Sequence, residues 1–203
     1  MEKSILIGGA AGLGSAVTSH FIGKVFASLG YYVFNYRDYP SLIRGGHNFN
    51  VLKISDKAVY SHQNRYDIIL ALDRRTVNTH KRNLKNNGLI VGSWQFDQIL
   101  EKLGGPKILE NDILIGYLFK FFGVDLKILL AAAKEEFGKK SDLIKKAIEE
   151  GYQLAETKEK LKKTGQGKYF ISGNEGISLG CLAAGMDIHF AYPMTPASPV
   201  LHF

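Results

Sequence analysis

A single cysteine, Cys181, occurs in the 203-residue chain. One thiol closes no internal disulfide and by itself holds neither an iron–sulfur cluster nor a structural zinc. Any electron-transfer cluster this protein works with is therefore expected on a partner. Long apolar runs are missing too. None approaches the length of about 20 residues that a membrane-spanning helix needs, and the opening residues, MEKSILIGG, lack the layout of a secretion signal. The expectation is a cytoplasmic protein without membrane association. Acid is scarce relative to base, with 19 Asp and Glu against 26 Lys and Arg, a net charge of +7. That excess raises nucleic acid as a partner. The lysines, however, concentrate between Lys134 and Lys168 among glutamates, the pattern of a solvated helical surface, so no nucleic-acid partner is expected. The six histidines, His20, His47, His62, His80, His189 and His202, show no i, i+4 ligand spacing on a helix, and no metal site is expected. Cys181 lies in an Ala- and Gly-rich stretch and reads as a small core residue; the lone tryptophan, Trp94, reads as a packing residue.

The chain is organised around Lys3 to Gly14, KSILIGGAAGLG. Ile5-Leu6-Ile7 fits a buried strand, Gly8 to Gly14 a glycine-rich turn, and Ser15 to Gly30 a helix whose Val17, Phe21, Ile22, Val25, Phe26 and Leu29 recur at helical spacing. Strand, glycine turn and helix open a doubly wound α/β domain and present free N–H groups to an anion. The dinucleotide fingerprint is not met. Counting from Gly12 and Gly14 puts Val17 at the third glycine, and counting from Gly9 puts Ala11 at the second. The next strand, within Tyr31 to Tyr36, has no acid at its end for a ribose; the nearest is Asp38.

Further strands are expected at Phe49 to Ile54, Tyr66 to Leu72 and Leu89 to Val91, with a helix over Arg74 to Leu84 stopped by a turn at Asn86-Asn87-Gly88. Strands alternating with helices predict a Rossmann-like, mainly parallel sheet covered on both faces. Helices follow over Asp112 to Phe122, Leu126 to Phe137 and Ser141 to Tyr152, with Asp125 and Ser141 as caps. The domain is bounded at 1–155. The charged stretch 156–168 reads as a linker. Beyond it, 169–203 reads as strand, helix, strand and loop, with strands at Tyr169 to Ile171 and Ile188 to Ala191. Such a unit cannot bury its own faces and is the incomplete start of a second domain.

Two stretches carry candidate chemistry. In RDYPSLIRGGHN, Arg44 beside Gly45 and Gly46 suits an anion held against backbone, and a surface arginine in a structural turn is the competing reading. In YPMTPASP, Pro193 and Pro196 fix the backbone around the Thr195 hydroxyl at the end of an expected strand, where α/β proteins bind ligands; a rigid turn competes there.

Several blocks, in this order, resemble the 2-oxoacid:ferredoxin oxidoreductases of the pyruvate, 2-ketoglutarate and 2-ketoisovalerate type, with a γ domain fused to the front of the α subunit. The γ-like blocks are IGGAAGLG, YRDYPSLIRGGHNFNVLKISD, YDIILALD, FGKK and AIEEGYQLA; the α-like blocks are GNEGISLGCLAAG and AYPMTPASPVLH. The sequence departs from that pattern at Leu13, where glutamine or glutamate is usual, and at Gly176, where alanine is usual. The resemblance implies that 169–203 begins the pyrimidine-type thiamine diphosphate domain. It implies oxidative decarboxylation of a 2-oxoacid to an acyl-coenzyme A, with electrons passed to ferredoxin and no activity in this chain alone. Thiamine diphosphate and Mg2+ would be shared with the β subunit, coenzyme A would be co-substrate, and the iron–sulfur clusters would sit on partner subunits. The assembly would be a hetero-oligomer with the β subunit and an iron–sulfur subunit or ferredoxin. By resemblance, Thr195 is the candidate catalytic residue. Tyr192, Pro193, Thr195 and Pro196 form the cofactor-side loop, and Arg44, Gly45 and Gly46 face coenzyme A or an interface. An independent Rossmann-like domain binding a nucleotide or NAD is the alternative.

Overall fold

The computed structural model describes residues 1–40, 46–138, 141–192 and 194–202, and the side chain of Ser141 is outside that description. The chain divides into two compact units, Met1–Lys168 and Tyr169–Phe203.

The first unit is built on a five-stranded sheet in the order β2-β3-β1-β4-β5. Its strands are β1 (Glu2–Ala10), β2 (Tyr32–Asp38), β3 (His47–Ser55), β4 (Tyr66–Ala71) and β5 (Leu84–Gly92). β4 runs parallel to β1 and to β5. β3 runs antiparallel to both of its neighbours, β1 and β2, so β2 shares the direction of β1. Four strands thus point one way, as expected of a mainly parallel sheet, and β3 is the exception. The departure follows from chain length: only eight residues, 39–46, join β2 to β3. That is too few for a crossover helix, so β3 must return antiparallel.

Ser4 to Gly9 of β1 are buried without a break. Successive side chains of a strand point to opposite faces, so both faces are covered here. Val77 of α2 (Arg74–His80) and Trp94 pack on the cluster of Leu6, Val51, Tyr66 and Ile69. α1 (Ser15–Ser28) lies against β1, β2 and β3, and its Phe26 ring sits 4.9 Å from Phe119 of α4 (Glu110–Phe121). A short α3 (Asp97–Leu103) precedes α4, and α5 (Leu126–Phe137) and α6 (Ser141–Leu154) follow it. Asp125 caps α5 by accepting from the Lys127 N–H at 2.8 Å. Helices α4 and α6 approach closely because Gly116 faces the Ile148 carbonyl and Gly151 faces the Ile113 carbonyl; a Cβ at either position would collide with backbone.

Three expectations are corrected. α2 ends at His80, six residues after Arg74, and a 3-10 turn carries the chain through Asn83. Asn86-Asn87-Gly88 lies inside β5, in an irregularity where Leu84 pairs with Tyr66 but Leu89 with Ile68. Lys85 is held there by Asp67 at 2.7 Å, and Asp67 also accepts the Ser4 N–H at 2.8 Å. The stretch 156–168, expected as a linker, has no helix or strand but is bound to the first unit. Lys158 and Glu159 N–H groups reach the Phe121 carbonyl, Leu161 N–H reaches Phe122, Thr164 N–H reaches Leu29 and Lys168 N–H reaches Ala27. These carbonyls belong to the last turns of α1 and α4, where carbonyls run out of intrahelical partners; Ala27 also accepts the Gly30 N–H at 2.9 Å. The strap satisfies them, and Tyr31 Oη adds a bond to the Lys162 carbonyl at 2.7 Å.

In the second unit, α7 (Gly173–Ala183) opens with a capping box between Ser172 and Glu175. The expected strands at Tyr169 to Ile171 and Ile188 to Ala191 are irregular in this structure. Without partner strands their backbone has no ladder to join, and Tyr169 is 97% and Phe190 89% exposed. No described helix in either unit is long and apolar enough to cross a membrane.

Candidate functional site

Because β1, β2, β4 and β5 share one direction, their carboxyl ends lie on one edge of the sheet, together with the start of β3. This is the edge where open α/β sheets bind ligands. It gathers the glycine turn after β1, Gly46, Asp73 after β4 and His47 at the start of β3.

Asp73 ties the edge together. Its Oδ2 accepts the Ala10 N–H at 2.8 Å, and its Oδ1 accepts the Thr76 N–H and hydroxyl, each at 2.8 Å. Burial alone would raise this carboxyl, but the Thr76 and Ala10 donors outweigh burial and hold it below its ordinary value. The same side chain therefore caps α2 and fixes the exit of β1.

Next to it, His47 and His80 meet with their Nε2 atoms 2.8 Å apart. His80 is only 7% exposed and packs 4.6 Å from the Phe49 ring. Burial, reinforced by His47, lowers His80 to about 4. Burial lowers His47 as well, with Asp73 opposing. One of the two Nε2 atoms must carry the proton for the other to accept. The spacing of 33 residues hides this pair in the sequence; only the pairing of β3 with β1 and the seating of α2 bring the rings together. Among the described residues, no group of three or more His, Cys, Asp or Glu side chains converges to hold a metal ion.

The glycine turn is not an open anion cradle throughout. Gly14, with φ 84°, caps α1, and a Cβ there would meet Asn111 Nδ2 at 2.8 Å and Ile108 Cδ1 at 2.9 Å. Asn111 in turn donates to the Leu13 carbonyl at 2.8 Å. The turn is closed by α4. Moreover β3 is inserted between β1 and β2, so the adjacent βαβ pair that holds a dinucleotide is not formed.

Of the arginine loop, Arg44 and Gly45 lie outside the described residues. The Gly46 carbonyl accepts the Ala11 N–H at 2.9 Å, which anchors the loop's end to the glycine turn, and a Cβ at Gly46 would collide with the Pro40 ring. The second unit carries the other candidates. Pro193 lies outside the described residues; Tyr192 is 82% exposed, and Thr195 and Pro196 are exposed. Asn174 at the start of α7 donates to the Pro196 carbonyl at 2.9 Å, and the Met194 carbonyl accepts from Ala197 and Ser198 N–H groups. The loop is thus held by backbone bonds while the Thr195 side chain points away from any packed core.

Residues 4–154 match the profile of the family described as pyruvate ferredoxin/flavodoxin oxidoreductase. The chain belongs to that family. Among curated members, the 2-oxoacid:ferredoxin oxidoreductase subunit alpha of a Sulfolobus species is 26% identical over 98% of this chain and 41% of its own length. Subunit alpha of the 2-oxoacid:ferredoxin oxidoreductase 1 of Sulfurisphaera tokodaii is 25% identical with the same coverage. The chain spans about two-fifths of the length of these relatives. Among solved structures, the 2-oxoglutarate:ferredoxin oxidoreductase of Magnetococcus marinus, determined with 2-oxoglutarate, coenzyme A and succinyl-CoA bound, shares the fold over 99% of this chain and 40% of its own, with a TM-score of 0.83 at 21% identity. The γ subunit of the keto/oxoacid ferredoxin oxidoreductase of Geobacter sulfurreducens covers 75% of this chain and 95% of its own, with a TM-score of 0.62 at 19% identity. The oxidoreductase family resemblance read from the blocks of sequence is therefore borne out, as is the α/β class.

Proposed function

We propose that this chain is the γ domain and the start of the α subunit of a multisubunit 2-oxoacid:ferredoxin oxidoreductase that converts a 2-oxoacid to an acyl-coenzyme A in the cytoplasm. The observation that carries this reading is that one relative's fold matches both units, across 99% of the chain. The boundary at Lys168 agrees with the division of labour: a closed γ-like domain, then a segment whose apolar side chains stand exposed for a partner.

Thiamine diphosphate would supply the electron sink of such an enzyme. The residues of 169–203 fit the organic part of that group and not its metal. The Thr195 hydroxyl and the Tyr192 ring are exposed on one loop, whereas among the described residues no three His, Cys, Asp or Glu side chains gather to hold a metal ion. Metal ligands and iron–sulfur cysteines are assigned to the β and iron–sulfur subunits. In this reading, Thr195 hydrogen-bonds cofactor or substrate, and Tyr192, Pro193 and Pro196 shape the loop. Arg44 with Gly45 and Gly46 faces coenzyme A or a subunit interface.

The test is Thr195→Val in the assembled enzyme. Valine keeps the shape and removes one hydroxyl. An unpaired partner in a water-poor site costs about 1–3 kcal/mol, equivalent to roughly ten- to hundredfold in rate when the loss falls in the transition state. 2-Oxoacid-dependent ferredoxin reduction should fall by that factor with an unchanged melting temperature, while Ser198→Ala should have a smaller effect. Full activity of Thr195→Val would remove the role given to this loop.

A further inference from the structure

A cavity of about 460 Å³ lies among α1, the Pro106–Leu109 turn, α4, α5 and α6. That is the size of a small-molecule site. Its wall is mainly apolar, with Phe21, Ile108, Ile115 and Phe137 among the lining side chains. Val17, 60% exposed, stands at its rim. One acid faces into it. Asp112 is only 8% exposed, and among the described residues it has no hydrogen-bond or ion-pair partner. A second buried acid, Glu110, lines the adjoining cavity of about 180 Å³.

Placing two acids in the first turn of α4 suits the helix dipole. It does not account for an acid turned toward a mainly apolar cavity, because a carboxyl largely withdrawn from water gains no partner there. A ligand that completes the site must offer a donor at one end and apolar surface at the other. A cation does this best: a charge-assisted bond is about twice as strong as a neutral one, and Glu110 adds negative potential from the same helix turn.

We propose that this cavity binds a small molecule built as a primary ammonium group on an apolar stem, with Asp112 as its counter-ion. The cavity adjoins the glycine turn, since Gly14 and Asn111 line it, and the proposal stands whether or not the 2-oxoacid reading does. It carries a pH signature. Burial raises the Asp112 carboxyl to about 7, so that carboxyl is partly protonated near neutrality. The lining from α1, α5 and α6 offers no charged group among the described residues, and the titratable Glu110 and Lys107 line the adjoining smaller cavity. Amine binding should therefore release a proton and tighten as pH rises through about 7. An ordinary carboxylate, with a value near 3.9, would give no change there.

The experiment is calorimetric titration of the full chain with hexylamine, hexanol and hexanoate. Hexylamine should bind saturably, about tenfold or more tighter than hexanol, with hexanoate weakest. Asp112→Asn should abolish the preference for amine over alcohol and the pH dependence, leaving hexanol binding intact. Val17→Phe, at an exposed rim position, should weaken both ligands while the protein stays folded. Equal binding of amine and alcohol, a preference that survives Asp112→Asn, or no saturable hexylamine binding would each overturn the proposal.

Discussion

Replacing Asp73 by alanine removes three hydrogen bonds, from the Ala10 N–H, the Thr76 N–H and the Thr76 hydroxyl. Thr76 is fully buried, so its N–H finds no water in exchange. Loss of a helix N-cap costs about 0.5–2 kcal/mol, and a backbone donor deprived of a carboxylate costs about 1.5–3 kcal/mol. The two losses share one side chain and do not add in full, so the expected total is about 3 kcal/mol. For a domain of this size each kcal/mol shifts the melting temperature by about 2–4 °C, giving a drop of about 6–12 °C. Asp73→Asn should lose about half as much. Its oxygen can still cap α2, but its Nδ2 then faces the Ala10 N–H, donor against donor. Thermal and urea unfolding followed by the fluorescence of Trp94 reports on this region directly, since the Arg74 guanidinium lies 4.9 Å over that ring. The carboxyl is held below its ordinary value in the fold. Its contribution is therefore complete above about pH 4 and is lost as pH falls through the lowered value. The gap between wild type and Asp73→Ala should close under strong acid. A loss below about 1 kcal/mol at neutral pH, or a gap indifferent to acid, would refute this account of the sheet edge.

The His47–His80 pair should make stability fall as pH drops from about 6.5 toward about 4, because the unfolded chain takes up protons that the buried rings refuse. His80→Leu should flatten that slope in urea titrations at several pH values. Gly116→Ala should destabilise by about 3 kcal/mol, the upper range for overpacking, since its methyl would strike the Ile148 carbonyl rather than a movable side chain; a melt within a degree of wild type would show that α4 and α6 can separate at little cost. Ser172→Ala should cost α7 about 1 kcal/mol by breaking the capping box, visible as faster amide exchange in the first turn of the helix; unchanged exchange would mean that the helix is held by other contacts.

The alternation of short apolar strands and longer amphipathic runs is local information, and each expected strand of the first unit overlaps an observed one and overruns it by no more than a residue. The glycine spacing already departed from a standard dinucleotide turn, and a lone cysteine offers no set of cluster ligands by itself. The order of quoted blocks placed the family. What local pattern could not carry was pairing. The shared direction of four strands was legible, but β3 returns antiparallel because its connection is too short to cross over, and its place between β1 and β2 is set by pairing. The charged stretch 156–168 looked like a linker because composition reports solvation; its backbone N–H groups, invisible to composition, close the ends of α1 and α4. His47 and His80 stand 33 residues apart, and Asp112 lies in an unremarkable helix start. Their chemistry arises from burial and proximity, which are properties of the packed sheet and helices. The sequence thus determined the elements, because periodicity and turn chemistry act over a few residues. The tertiary structure decided which side chains share a site, because desolvation and contact exist only once distant segments are packed together.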